Sequence, residues 1–291
     1  MKRLLSILLW CLWCSSAFAA PLFSDSFDSG SIDAAWGTAL GVDATHYTPN
    51  TAQTTFVTTP THSGAKALHY YTLQATNEHS PVTVFMYSSA MSSIFGSLPS
   101  EIYIEWYEYF ETGYCWPTSS QKLFRLGYDD DGVHPESKKE LGFLVQAANT
   151  DVNVQYFCGL WGNTSLCNVD GSVHSSEAHP LNTWTKWGYH AKLNTPGSAD
   201  GYIHVYKNDD LHLSTGNVSL RGTDSRGFNY FWIGGNYSML SGTLSCSGHR
   251  YIDDVAVYDT YPGAPTPTPT ATPTSTPPPS SGGNGYLIYL Q

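Results

Sequence analysis

The sequence predicts an all-β protein of two stacked antiparallel sheets, and three observations carry that prediction. From Pro21 to about Pro262 the chain is rich in Tyr, Trp, Thr, Val and Gly, and the aromatic and β-branched types among these suit a pleated, half-buried surface. Short runs of alternating apolar and polar residues are separated by Gly, Asn, Asp and Pro clusters, the pattern of many strands joined by turns in a sandwich or jelly roll. Long helical periodicity is missing; SSAMSSIFGSL, near residues 88 to 98, makes one short helix at most. About 240 residues suffice for two sheets with a sizeable core.

The flanks read differently. Residues 1 to 20, MKRLLSILLWCLWCSSAFAA, carry two cations, an apolar run from Leu4 to about Leu12, and the small-residue exit Ala17-Phe18-Ala19. This is the pattern of a cleaved secretory signal. The run is too short to span a bilayer, so export to the periplasm or the medium is expected, without a membrane partner. Residues 21 to 262 form the β-domain. Residues 263 to 285, rich in Pro and Thr, read as a linker, because proline repeats hold a chain extended without a core; residues 286 to 291 are a short tail, in the position where a further module would begin.

The formal charge of −11 becomes −13 once Lys2 and Arg3 leave with the signal. Such a surface repels nucleic acid and anionic membranes. Four cysteines remain after cleavage, Cys115, Cys158, Cys167 and Cys246, an even number that predicts two disulfides in an exported chain. Three pairings are open. Cys158 with Cys167 is favoured because it closes the short loop GLWGNTSL, leaving Cys115 with Cys246. A zinc site would want a close C-x-x-C pair, which the spacing lacks.

Titratable residues gather on single strand faces. In NTWTKWGYHAKLNTPG, Trp187, Tyr189, Ala191 and Leu193 point one way, while Lys186, His190, Lys192 and Asn194 point the other. In GYIHVYKND, Tyr202, His204 and Tyr206 oppose Ile203 and Val205. In QKLFRLGYDDDG, Lys122, Phe124, Leu126 and Tyr128 alternate with Leu123, Arg125 and Gly127.

The order of these segments, EWYEYFETGYCW, QKLFRL, WTKWGYHAKLNTPGSADGYIHVYKND, FNYFWIGGN and YIDDVAVYD, resembles the jelly-roll lyases of polysaccharide lyase family 14, which act on alginate-like uronate polymers. Trp184, then Asn194 ten residues later, Asp200 and Gly201 fall in step with that family's pattern, as do Phe231, Gly234, Gly235 and Asp253-Asp254. The likeness covers most of residues 100 to 259. It departs at KLFRL, where the family has KLPGL, and at His190, where an aromatic is usual. The resemblance implies a concanavalin A-like jelly roll with a cleft on its concave sheet, acting on a polysaccharide as a monomer. β-Elimination from a uronate needs neutralisation of the C6 carboxylate, a base for the C5 proton and an acid for the leaving oxygen. His190 or Lys192 is the expected base or neutraliser, Tyr206 or Tyr230 the proton donor, and Arg125 the carboxylate clamp. Lys122, Asn194, Trp116 and Trp161 are the expected substrate-binding residues.

Two other classes compete. SEIYIEW resembles the EIDIE strand of glycoside hydrolase family 16, with Glu101 and Glu105 on one face but Tyr103 where that pattern has an aspartate. A lectin-like, non-catalytic module would use aromatic rings to stack on neutral sugars, with Trp116, Trp161 and Trp232 as platforms; for Trp232 the core is the expected place. Elimination requires no cofactor. Asp25, Asp28, Asp253 and Asp254, on first and last strands that often pair in sandwiches, and the run Asp129-Asp130-Asp131-Gly132 would suit structural calcium.

Overall fold

A computed structural model describes residues 19–37, 54–72, 82–86, 88–114, 120–128, 139–146, 151–157, 173–175, 179–234 and 248–263. Its elements in chain order are β1 (Phe23–Asp25), α1 (Ala34–Gly37), β2 (Thr54–Val57), β3 (Ala67–Thr72), β4 (Val82–Met86), α2 (Ser88–Phe95) and β5 (Glu101–Phe110). They continue with β6 (Ser120–Tyr128), β7 (Lys139–Gln146), β8 (Asp151–Phe157), β9 (Val173–Ser175), β10 (Thr185–Lys192), β11 (Gly201–Lys207), β12 (Asp210–Val218), β13 (Tyr230–Gly234) and β14 (Gly248–Tyr258). The helix expected from SSAMSSIFGSL is α2.

The strands form two antiparallel sheets, as the alternation predicts. The larger runs β12-β11-β10-β5-β14-β3-β2, with β1 also paired to β14; the smaller runs β4-β13-β6-β7-β8-β9. Their inner faces meet in one core. Trp106 stacks on Phe124 at 5.1 Å between ring centroids, and Phe124 reaches Tyr189 at 4.6 Å. Burying side chains of this size contributes about 1.5–3 kcal/mol each.

Alternation decides which residues face away from that core. On β10, Trp187, Tyr189 and Ala191 are fully buried in it, and on β11 Ile203 and Val205 are. Their neighbours Lys186, His190, Lys192, Tyr202, His204 and Tyr206 therefore stand on the outer face of the larger sheet. The strand β6 departs from simple alternation. A bulge between Lys122 and Phe124 turns Leu123 into the core beside Phe124 and Leu126, because one extra residue on one strand resets the side-chain parity.

Two tight features hold the edge. Asn208 and Asp209 both take left-handed conformations, φ 52° and 71°, in the two-residue turn joining β11 to β12. This is the backbone that Asn and Asp tolerate best and that a hairpin of this length requires. Gly201 lies so close to its neighbours that a Cβ would come within 2.8 Å of the Val218 carbonyl and 2.9 Å of the Lys192 carbonyl.

Candidate functional site

The site grows from pairing of five strands in register. Tyr258 on β14, Tyr103 on β5, His190 on β10, His204 on β11 and Ser214 on β12 form one cross-strand row. The neighbouring row sets Glu101 opposite Lys192, and Lys192 opposite Tyr202. All point outward from the larger sheet, so the pairing alone places a histidine, a carboxylate, an ammonium and a phenol on three adjacent strands, β5, β10 and β11.

Glu101 is the hub. Its Oε1 lies 3.0 Å from His190 Nε2 and accepts the Tyr202 hydroxyl at 2.6 Å and the Thr260 hydroxyl at 3.3 Å. Lys192 Nζ stands 3.8 Å from its Oε2. The Tyr202 hydroxyl is also 3.2 Å from His190 Nε2. The hydrogen bond from His190, with Tyr202 and the nearby charges adding to it and burial opposing, holds the Glu101 carboxyl down at about 2. Burial, then the Glu101 carboxylate, pushes the Tyr202 phenol up, so it keeps its proton. Burial and His190 together lower His204, which is neutral near pH 7.

A second carboxylate stands beside the first. Glu105 accepts the Tyr103 hydroxyl at 3.0 Å and the Tyr258 hydroxyl at 3.1 Å, and pairs with Lys186 at 3.0 Å. Lys186 also bonds Asp209 at 2.8 Å, and these bonds raise its pKa although burial pulls the other way. Tyr103 fits only because residue 188 is glycine; a Cβ there would collide with the Tyr103 hydroxyl. Around this pair the rings of Tyr103, Tyr206, Tyr258 and Tyr261 pack together.

Chemically, the first cluster can move protons. With Nε2–H donating to Glu101, the lone pair of neutral His190 is on Nδ1. Once Nδ1 takes a proton, the imidazolium is held through Nε2 as an ion pair with Glu101. The site thus holds a base oriented by a carboxylate, beside a phenol that retains its proton.

No protein-family model matches the sequence, and no curated protein does. Solved structures do. The marine PL-14 alginate lyase from Aplysia kurodai superposes with a TM-score of 0.54 at 16% identity, over 82% of this chain and 99% of that one. The endo-β-1,4-glucuronan lyase from the fungus Trichoderma reesei gives 0.50 at 15%, over 72% and 90%. Alginate lyase Aly36B gives 0.50 at 15%, over 82% and 97%. The chain has a PL14-like jelly-roll fold.

Within the PL14-like fold, His190, Lys192 and Tyr206 share one face. His190 is buried, Tyr206 nearly so, and the Lys192 side chain is 43% exposed. Arg125 and Tyr230 do not join them. They belong to β6 and β13 of the smaller sheet, whose alternate residues Phe124, Leu126, Phe231 and Ile233 fill the core, so Arg125 and Tyr230 face away on the opposite side of the sandwich. There Arg125 is buried and lies over the Trp232 ring at 4.7 Å. Trp232 itself is buried as well.

Asn194 is spent on the fold. Its Oδ1 accepts the Arg221 amide at 2.7 Å, and its Nδ2 donates to the Thr195 and Gly222 carbonyls at 2.9 and 3.0 Å. Asp200 accepts the Thr195 amide and hydroxyl at 2.6 and 2.7 Å. The KLNTPG motif is therefore a fastened turn.

The aspartates expected at calcium serve separate partners. Asp25 accepts the Phe27 amide at 2.8 Å and the Trp36 indole at 2.7 Å. Asp28 accepts the Ala65 and Lys66 amides. Asp254 bonds His62 at 2.7 Å and Ser63 at 2.8 Å, although β1 and β14 do pair as expected. Among the described residues no group of three or more His, Cys, Asp or Glu side chains could hold a metal ion. Trp116, Trp161, the four cysteines, Gly235, the run from Asp129 to Gly132 and the Lys122 side chain lie outside the described residues.

Sequence reasoning passed over Glu101 as the partner of His190, and Tyr202 as the phenol nearest to it. The signal existed for Tyr202, which shares the outer face of β11 with His204 and Tyr206. For Glu101 it did not, because its partner lies 89 residues away on a strand whose pairing the sequence does not state.

Proposed function

We propose that this chain is an exported polysaccharide lyase that cleaves a uronate-containing polymer by β-elimination on the outer face of the larger sheet. The observation that carries the reading is the contact of the Tyr202 hydroxyl with His190 Nε2 at 3.2 Å, beside the exposed Lys192. Lys192 meets the C6 carboxylate. His190 takes the C5 proton, the electron pair forms the C4–C5 double bond, the C4–O bond breaks, and Tyr202 gives its proton to the departing oxygen. Glu101 stabilises the imidazolium that results. Arg125 and Tyr230 have no part in it, and no cofactor is called for. The solved structures of the same fold include an alginate lyase and a glucuronan lyase, which supports a polyuronate as the substrate class.

A second reading is a glycan-binding module without catalysis, favoured by the ring cluster of Tyr103, Tyr206, Tyr258 and Tyr261. One experiment separates the two. The domain of residues 21 to 262 is incubated with alginate, glucuronan and other polyuronates while the ultraviolet absorbance of the conjugated C4–C5 double bond is followed. A rise that Lys192→Ala slows supports elimination. Saturable binding with no rise on any polyuronate supports the module.

A further inference from the structure

The chain leaving β14 turns back over the site just described. Thr260 donates to Glu101 at 3.3 Å, and the next residue, Tyr261, lays its ring on Tyr206 with centroids 4.3 Å apart and planes 11° from parallel. The same ring meets Tyr103 edge-on at 5.0 Å and lies over His190 at 6.1 Å, 30° from parallel. Tyr206 is 8% exposed, His190 5% and Tyr103 1%. These side chains stand on the outer face of the sheet, where alternation alone would leave them open to solvent. A ring contributed from outside the sheet helps to bury them.

That closed arrangement leaves a polar atom unserved. His190 Nδ1 is buried without a hydrogen-bond partner, a situation that costs free energy until water or a ligand hydroxyl reaches it. The parallel stack on Tyr206 is also the arrangement in which an aromatic face receives a pyranose ring.

We infer that Tyr261 is a displaceable cover, and that a sugar ring of the substrate exchanges with the Tyr261 ring on Tyr206 before His190 and Tyr202 can act. This rests on the reading that the face binds a saccharide. Binding then draws on the fraction of molecules whose cover has lifted, and the apparent affinity is reduced by that fraction. Aromatic pairs of this kind set the closed state ahead by a factor of about 3 to 10.

The test compares wild type, Tyr261→Phe and Tyr261→Ala on defined uronate oligomers, with site-resolved labelling of His190 by diethyl pyrocarbonate as a readout independent of turnover. Tyr261→Ala is expected to lower KM by about 3- to 10-fold with little change in kcat, and to label at His190 several-fold faster. Tyr261→Phe, which keeps the ring, is expected to behave as wild type in both. A higher KM in Tyr261→Ala would make the ring a wall of the binding site and overturn the cover, as would unchanged labelling. If neither wild type nor variant cleaves any polyuronate, the lyase reading fails by itself; faster labelling together with tighter binding of neutral β-glycan oligomers by Tyr261→Ala would still uphold the cover.

Discussion

Glu101 and Glu108 sit on the same strand, seven positions apart, and the parity between them separates the group proposed to work from a structural one. Glu108 points inward and is fully buried, bonded to the buried Arg250 guanidinium and, at 3.4 Å, to the Trp106 indole. Burial pushes its carboxyl up while Arg250 draws it back. Glu101 points outward with a quarter of its side chain exposed, and its partners His190, Tyr202 and Lys192 are groups that carry mobile protons. A carboxylate in the core is retained because removing it strands a buried cation. Glu101, partly exposed on the outer face, is placed to organise the chemistry proposed for its neighbours.

The comparison breaks most sharply at the outer cluster. Tyr202→Phe removes only a hydroxyl and is expected to lower kcat for elimination by about 10² to 10⁴-fold, with an unchanged thermal melt; steady-state kinetics on the preferred polyuronate checks both. The inner pair should show the reverse. Glu108→Ala strands Arg250 and is expected to cost about 3–5 kcal/mol of stability, read from urea unfolding, with turnover per folded molecule preserved.

Asn194 sharpens the distinction between site and scaffold. Asn194→Ala loses three internal hydrogen bonds in a buried turn, for an expected cost of about 1–3 kcal/mol, while KM stays near the wild-type value. A large rise in KM at unchanged stability would return Asn194 to the substrate.

The smallest effects are in pH dependence, and two carboxylates of the larger sheet should act with opposite sign. Asp253 is raised from 3.8 to about 6, chiefly by burial. The folded chain then holds a proton that the unfolded chain has lost, so this group's contribution declines as pH rises from about 4 to 6. Glu101 is lowered from 4.5 to about 2, so its contribution is present above the unfolded value and lost as pH falls toward 2. Asp253→Asn should flatten the first slope of the melting temperature against pH, and Glu101→Gln the second.

The sequence was informative where the physics is local. Alternation in β10 and β11 sorted Trp187, Tyr189, Ile203 and Val205 from His190, Lys192, Tyr202 and Tyr206 without error, because period two is a property of the strand itself. It could not say which sheet a strand joins. Arg125 and His190 both read as polar-face residues, yet they stand on opposite sides of the sandwich. The bulge at Leu123 and the return of Tyr261 over Tyr206 are likewise products of non-local pairing and packing. Asn194, read from a family pattern, ties a turn in this chain, a bond set that the pattern does not display.

In the proposed elimination His190, on the outer face of the larger sheet, takes the C5 proton. The direct measurement is the initial rate of C4–C5 double-bond formation by His190→Gln against wild type, on the polyuronate that wild type cleaves fastest, with folding matched by near-ultraviolet circular dichroism. A loss of about 100-fold or more is the predicted result; a rate within a few-fold of wild type would place the base elsewhere and contradict the account.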